Sequence, residues 1–128
     1  MPVMDVILGD LNYTLGVGRA NTFLRVAGNL AGGNAAKLQV ILNRALAHAS
    51  GKLIFSLQGC YSIDSAALAA LARQHQAFAE KAREMVLVDV PAQIRAALEG
   101  SHLDSLFEIF PSLREAELKY GPASTSGL

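Results

Sequence analysis

Two short runs constrain this chain more than any other feature. Leu53-Ile54-Phe55-Ser56-Leu57 and Met85 to Val90 are nearly continuous apolar stretches, and helical periodicity follows each. A strand that is apolar on both sides must be covered on both sides, as in parallel sheets flanked by helices. Strands that alternate with helices form sheets that are at least partly parallel, because each return to the sheet needs a crossover. The rest of the chain fits that scheme. Val3 to Leu8 is rich in β-branched and apolar residues, and Gly9-Asp10 punctuates it. In Leu11 to Val17, Leu11, Tyr13 and Leu15 alternate with Asn12 and Thr14. After a turn at Gly18-Arg19-Ala20-Asn21, Thr22 to Ala27 reads as a third strand.

Gly28 to Gly33 is then a loop, and Asn34 stands at the N-cap position of a helix. Leu38, Ile41, Leu42, Ala45 and Ala49 draw one apolar stripe along that helix, which Gly51 caps. Gln58 to Ile63 reads as a loop. Asp64 opens a second helix, with Leu68, Leu71, Ala72, Phe78 and Ala82 near its buried face. Pro91 suits the first turn of a short helix that reaches Gly100 through Ile94, Ala97 and Leu98. Leu106 to Phe110 predicts a last strand. Ser112 and Glu115 have the spacing of a capping box, which starts a final helix to about Tyr120, and Gly121-Pro122 stops it. The expected architecture is α/β, a mixed sheet of about four to six strands covered by about four helices. Residues 1–10 are expected as an extension or edge strand, 11–120 as the domain and 121–128 as a flexible tail.

Composition excludes several functions. With 128 residues and 52% hydrophobic content, the chain can bury a core and suits one domain. Its 11 basic and 11 acidic residues balance, so no basic excess is present to neutralise phosphates of a nucleic acid. No apolar run approaches the roughly 20 residues that span a bilayer, and the N-terminus lacks the basic segment of a signal peptide. A soluble, cytoplasmic protein without membrane insertion is expected. The single cysteine, Cys60, excludes a disulfide framework and a multi-cysteine zinc site, and reads as a small apolar filler after a buried strand. His48, His75 and His102 have no companion at metal-ligand spacing, and His75, between Leu71 and Phe78, reads as partly buried. Gly28, Gly32 and Gly33 are not followed by the Gly-Lys-Ser/Thr of a phosphate loop. Neither a metal nor a cofactor is expected. Asp64 and Ser65 lack a sequence-near histidine and a nucleophile-elbow motif, so no enzyme is expected.

The segment Ile54 to Leu71 is the most informative. Asp64 can accept a hydrogen bond from a backbone N–H two or three residues on, which places Ser65 in the first helical turn. A group there meets unpaired N–H donors and the positive end of the helix dipole, so a phosphate is tolerated. The neighbouring surface is small and apolar, with Ala66, Ala67, Ala69 and Ala70. Asp-Ser is common at helix starts, so local chemistry by itself marks only an N-terminus.

The run Ile63-Asp64-Ser65-Ala66-Ala67-Leu68-Ala69-Ala70-Leu71 resembles the Asp-Ser-Ser-Gly-Leu-Gly-x-x-Leu segment of the bacterial anti-sigma factor antagonists of the STAS type. Phe23 to Leu30 is similar to their strand into Gly-Glu-Leu-Asp, and Met85-Val86-Leu87-Val88 with Pro91 to Arg95 to their last central strand and helix. Gly100 to Ala116 is similar to their C-terminal region, so the resemblance spans roughly residues 11 to 118. It implies a STAS-like fold and a non-enzymatic protein that binds a partner serine kinase, itself the anti-sigma factor. The implied switch is phosphorylation at Ser65. Asn29, Ser62, Asp64, Ser65, Ala66 and Ala69 are the implied partner-binding residues. The chain departs from the family at Ala66, Ala67 and Ala69, which replace a serine and two glycines, and at Asn29 and Ala31, which replace an acidic pair. A strand residue that is often acidic in the family is Ser56. Two alternatives stay open: a STAS subunit that grips the ATPase of a lipid-trafficking ABC transporter, and a non-phosphorylated scaffold. A monomer or weak homodimer is expected.

Overall fold

The computed structural model describes residues 3–18, 20–48 and 51–122. The chain begins with an antiparallel meander of β1 (Val3–Leu8), β2 (Leu11–Val17) and β3 (Thr22–Leu30). It then alternates helix and strand: α1 (Ala35–His48), β4 (Leu53–Ile63), α2 (Ser65–Glu80), β5 (Met85–Val88) and α3 (Ala92–Gly100). A single 3-10 turn (Leu103–Ser105), β6 (Glu108–Phe110) and α4 (Leu113–Tyr120) complete it. Among the described residues six strands lie in sequence order in one sheet, and β3 to β6 run parallel. With the four helices among the described residues, this is the mixed α/β sheet that the alternation of apolar runs and amphipathic segments predicts.

The central strands bury both faces. Leu53, Phe55 and Leu57 of β4 join the larger core with Leu38, Ile41 and Leu42 of α1, Leu71 and Phe78 of α2, and Ile94 and Leu98 of α3. Ile54 points the other way, into a smaller core with Phe23, Val86, Val88 and Ala116 of α4. Three helices therefore cover one face and α4 covers the other. That division explains why β4 and β5 show no apolar alternation in sequence.

Several boundaries differ from expectation. The segment Gln58–Ile63 is not a loop: it continues β4, pairing with a β3 that extends past Ala27 to Leu30. Register shifts between Arg25 and Ala27 and between Gly28 and Asn29 let the pair continue. Two glycines make the close approach possible. A Cβ on Gly28, at φ +125°, would lie 2.6 Å from the Asp10 carbonyl oxygen. A Cβ on Gly59 would lie 2.6 Å from the Ala27 Cβ. Such glycines mark bulges and close backbone contacts rather than loops.

The last strand is confined to Glu108–Phe110, because Leu103–Ser105 forms the 3-10 turn. β5 stops at Val88, and Asp89 follows with φ +53°. Pro91 is the N-cap of α3 rather than a residue of its first turn. Ala82 is exposed beyond the end of α2, and so does not belong to that helix's buried face. Arg19 of the first turn, Ala49 of the helical stripe and residues 123–128 of the tail lie outside the described residues.

Candidate partner-docking site

The parallel register sets Asn29 beside Ser62 and Leu30 beside Ile63 at the carboxyl ends of β3 and β4. The chain then enters α2 at Asp64. Asp64 has extended backbone (φ −114°, ψ 177°), and its Oδ1 accepts the Ala67 N–H at 2.9 Å. The Asp64 carbonyl accepts the first intrahelical bond, from Leu68 N at 3.0 Å. Asp64 is thus the N-cap that its sequence position predicts. Ser65 is the first residue of α2 and is exposed.

The alanines divide by helical geometry. Ala67 and Ala70 are fully buried against the core, whereas Ala66 and Ala69 face outward with Ser65. Small side chains outside let another surface approach the helix backbone closely, and small side chains inside seat α2 against the sheet. The exposed strip and the buried strip arise from the same run of residues.

A polar network backs the loops. The Ser62 hydroxyl donates to Asn29 Oδ1, which also accepts the Ala31 N–H at 2.9 Å. Asn34 Nδ2 donates to the Asn29 carbonyl at 2.8 Å and to Asp10 Oδ1 at 2.9 Å. Lys37 Nζ lies 3.4 Å from the same carboxylate. The hydrogen bond from Asn34 is the main cause holding the Asp10 carboxyl below the usual carboxylate range, with Lys37 contributing less. Asn29, Ser62, Asp64, Ser65, Ala66 and Ala69 therefore come together at one end of the sheet. Of these, Asn29, Ser62 and Asp64 are half-buried, and the other three are exposed.

Asp10, Asn34 and Lys37 reinforce this end without having been singled out for it. Their only sequence signals were a Gly-Asp turn and a helix cap. The Asn34 carbonyl does accept Leu38 N at 3.0 Å, but its amide turns inward to the network. Tyr61, 62% exposed near the end of β4, was also missed, because its segment read as a loop.

Other candidates lie elsewhere. Cys60 is 3% exposed, with its Sγ 3.2 Å from the Val26 carbonyl oxygen. Burial pushes its thiol up to about 12, so it is neutral and unreactive at physiological pH. Ser56 is buried and its hydroxyl donates to Asp89 Oδ2 at 3.4 Å. His75 is half-buried, edge-on to Phe107 at 5.2 Å, while His48 and His102 are exposed. Among the described residues no cluster of three or more His, Cys, Asp or Glu side chains could hold a metal, and no helix is long and apolar enough to cross a membrane.

A helix-covered mixed sheet with a capped serine at a strand–helix junction defines an α/β protein of the kind that the resemblance implies. The family model of the STAS domain matches residues 14–116, and the chain belongs to that family. Among solved structures, an anti-sigma factor antagonist from Mycobacterium paratuberculosis is similar, with a TM-score of 0.70 at 17% identity, over 94% of each chain. The Bacillus cell fate determinant SpoIIAA in its phosphorylated form is similar with a TM-score of 0.57 at 13% identity, over 92% of this chain and 98% of that one. The murine Solute Carrier 26 family member A9 anion transporter matches with a TM-score of 0.67 at 19% identity, over 83% of this chain but 18% of the transporter. At these identities the likeness concerns the fold. None of the curated proteins matches the chain in sequence.

Proposed function

We propose that this STAS protein is a binding module of the anti-sigma-factor-antagonist kind, which docks a partner serine kinase that is also the anti-sigma factor. One observation carries the reading: Ser65 lies exposed at the capped start of α2, flanked by the outward Ala66 and Ala69. The docking surface consists of Asn29, Ser62, Asp64, Ser65, Ala66 and Ala69. Phosphorylation of Ser65 switches it. A phosphate adds about −1.5 to −2 charges at neutral pH, beside the Asp64 carboxylate and on a surface otherwise small and apolar. The helix N-terminus tolerates that charge, so the fold persists while a fitted partner is repelled. The protein needs neither metal nor nucleotide of its own, since the kinase supplies ATP.

The test is incubation with the cognate kinase and ATP. One phosphate is expected on the wild type and none on Ser65→Ala. Ser65→Asp is expected to bind the kinase more weakly while remaining folded. Phosphate on another residue, or no phosphate with a kinase that binds, overturns the switch.

One feature favours a second reading. At position 29 the family's carboxylate is an amide, already engaged with Ser62 and the Ala31 N–H. A docking surface with less charge suits a constitutive partner, such as the ATPase subunit of a lipid-trafficking ABC transporter, or a scaffold role without phosphorylation. The protein retained from native cytosol separates these readings: a kinase-like anti-sigma factor for the first, a transporter ATPase for the second.

A further inference from the structure

The strand order puts β1 at one edge of the sheet, and among the described residues only β2 pairs with it. An edge strand presents a row of unpaired N–H and C=O groups, which proteins commonly blunt with charge, proline or a covering element. β1 holds one charged residue, Asp5, and no proline. Ile7 is 80% exposed, more than any other large apolar residue described. Beside it lies an open cavity of about 330 Å³, lined by Val6, Ile7, Asn12, Tyr13 and Thr14.

The turn decides which backbone groups point outward. Gly9, at φ +68°, and Asp10 form a two-residue connection that sets Leu8 against Leu11. The closing pair of such a hairpin exchanges hydrogen bonds, and bonded and non-bonded pairs then alternate along the strands. Leu8, Val6 and Met4 therefore bond to β2, while Ile7, Asp5 and Val3 turn their N–H and C=O to the open side. Side chains alternate too: Val6 packs against the larger core, and Ile7 lies on the opposite face.

We infer that β1 pairs antiparallel with β1 of a second copy, continuing the sheet across a two-fold axis normal to it. Such an axis keeps each face of the sheet on its own side, so Ile7 of both copies lies on the same face. Two registers pair nearly the whole strand with outward groups facing each other. The first sets Asp5 against Asp5, and like charges directly opposite are unfavourable. The second sets Val6 against Val6 and Asp5 against Ile7 of the second copy. It also brings the two Ile7 residues into diagonal contact, so that each covers the other. The second register is therefore the one that forms.

Charge and composition favour a second copy as the occupant. The formal net charge is zero, so two copies meet without net repulsion. The segment Ala123 to Leu128 of the same chain carries one large apolar residue, which is little to cover such an edge. One strand pair is small beside a standard protein interface, so the dimer is weak. β2 and β3 separate β1 from β4, and the pairing does not depend on the function proposed above.

Sedimentation equilibrium from micromolar to millimolar protein, with amide hydrogen exchange at both extremes, tests the assignment. A monomer–dimer equilibrium is expected, with protection at the Asp5 and Ile7 amides that grows with concentration. Ile7→Asp sets like charges opposite each other twice across the two-fold and should weaken association about tenfold, the scale of two such pairs. Ile7→Lys sets a cation opposite Asp5 and should hold association within about threefold of the wild type. Equal weakening in both variants would mean unspecific apolar contact and overturns the register. A protein that stays monomeric at millimolar concentration overturns the pairing. So does a dimer without protection at Asp5 and Ile7, or protection there that ignores concentration, which assigns the edge to another segment of the same chain. The wild-type exchange data decide the case even if a variant fails to fold.

Discussion

Where β3 and β4 begin, the side chain of Asn21 is 3% exposed and fully engaged: Nδ2 donates to the Tyr120 carbonyl at 2.9 Å and the Gly121 carbonyl at 3.2 Å, and Oδ1 accepts Lys52 N at 3.1 Å. Where the same strands end, Ser65, Ala66 and Ala69 face solvent. The first end uses the buried amide of Asn21 to join the start of β4, 31 positions on, to the end of α4, 99 and 100 positions on. The second runs its polar network from the exposed Asp10 through the buried Asn34 to the half-buried Asn29 and Ser62, and leaves small side chains outside. One strand pair thus has an end whose polar groups serve stability and an end whose outermost groups serve no fold contact. Within the proposed docking surface, Ser65, Ala66 and Ala69 can be changed without stranding a partner, whereas Asn29, Ser62 and Asp64 also hold neighbouring groups of the fold.

That contrast can be broken by measurement. The largest effect is expected for Asn21→Ala, which strands two carbonyls and one N–H. Its loss should lower unfolding free energy by about 3 kcal/mol in urea titrations, since three part-buried groups lose their partner and an orphaned group costs about 1–3 kcal/mol when buried and less when partly solvated. A change under 1 kcal/mol would remove the distinction between the two ends.

Cys60 sharpens it, because this thiol lies directly beneath the open end, between the exposed Gly59 and Tyr61. In the unfolded chain a thiol titrates near 8.5, and in the folded protein at about 12. The raised folded value means that the stabilisation is complete below about pH 8.5 and is lost progressively as pH rises toward 12. Stability should fall by about 1.4 kcal/mol per pH unit across that window, in excess of the slope of Cys60→Ala. Equal slopes for the two proteins, measured between pH 8.5 and 10.5, would mean that the layer under the open end is wet.

Asp64→Ala should cost about 1 kcal/mol, the ordinary worth of a helix N-cap, because the Ala67 N–H loses its acceptor. The smallest effect is expected at the next position. Ser65→Ala and Ser65→Asp should change unfolding free energy by about 0.5 kcal/mol or less, as exposed substitutions do. Thermal melts of the pair settle this. A loss above 2 kcal/mol at Ser65 would show that the hydroxyl supports the fold and would set aside its role as an accessible switch.

Much of the fold is legible in the residues. The apolar runs at Leu53–Leu57 and Met85–Val88 announce covered parallel strands, and Asp64 and Ser112 announce helix starts that both structural caps realise. Within the proposed docking site, the position of Ser65 in its helix follows from Asp64 alone. What stayed hidden was pairing. Gln58–Ile63 carries three exposed residues, a glycine among them, and no apolar alternation that would mark a strand. It is extended because β3 lies beside it, and Gly28 and Gly59 permit the approach.

Local sequence by itself determined which segments are helix or central strand, where α2 and α4 begin, and that a serine follows a capping aspartate. Those depend on contacts within a few residues: side-chain periodicity and the competition for free N–H groups at a helix start. Only the tertiary structure decided that Asn29 meets Ser62, that Asp10 meets Asn34 and that Asn21 holds the end of α4. Those pairs are separated by 24 to 99 positions. They form because sheet register and helix packing, set by the burial of the whole core, carry distant backbones to within a hydrogen bond of one another.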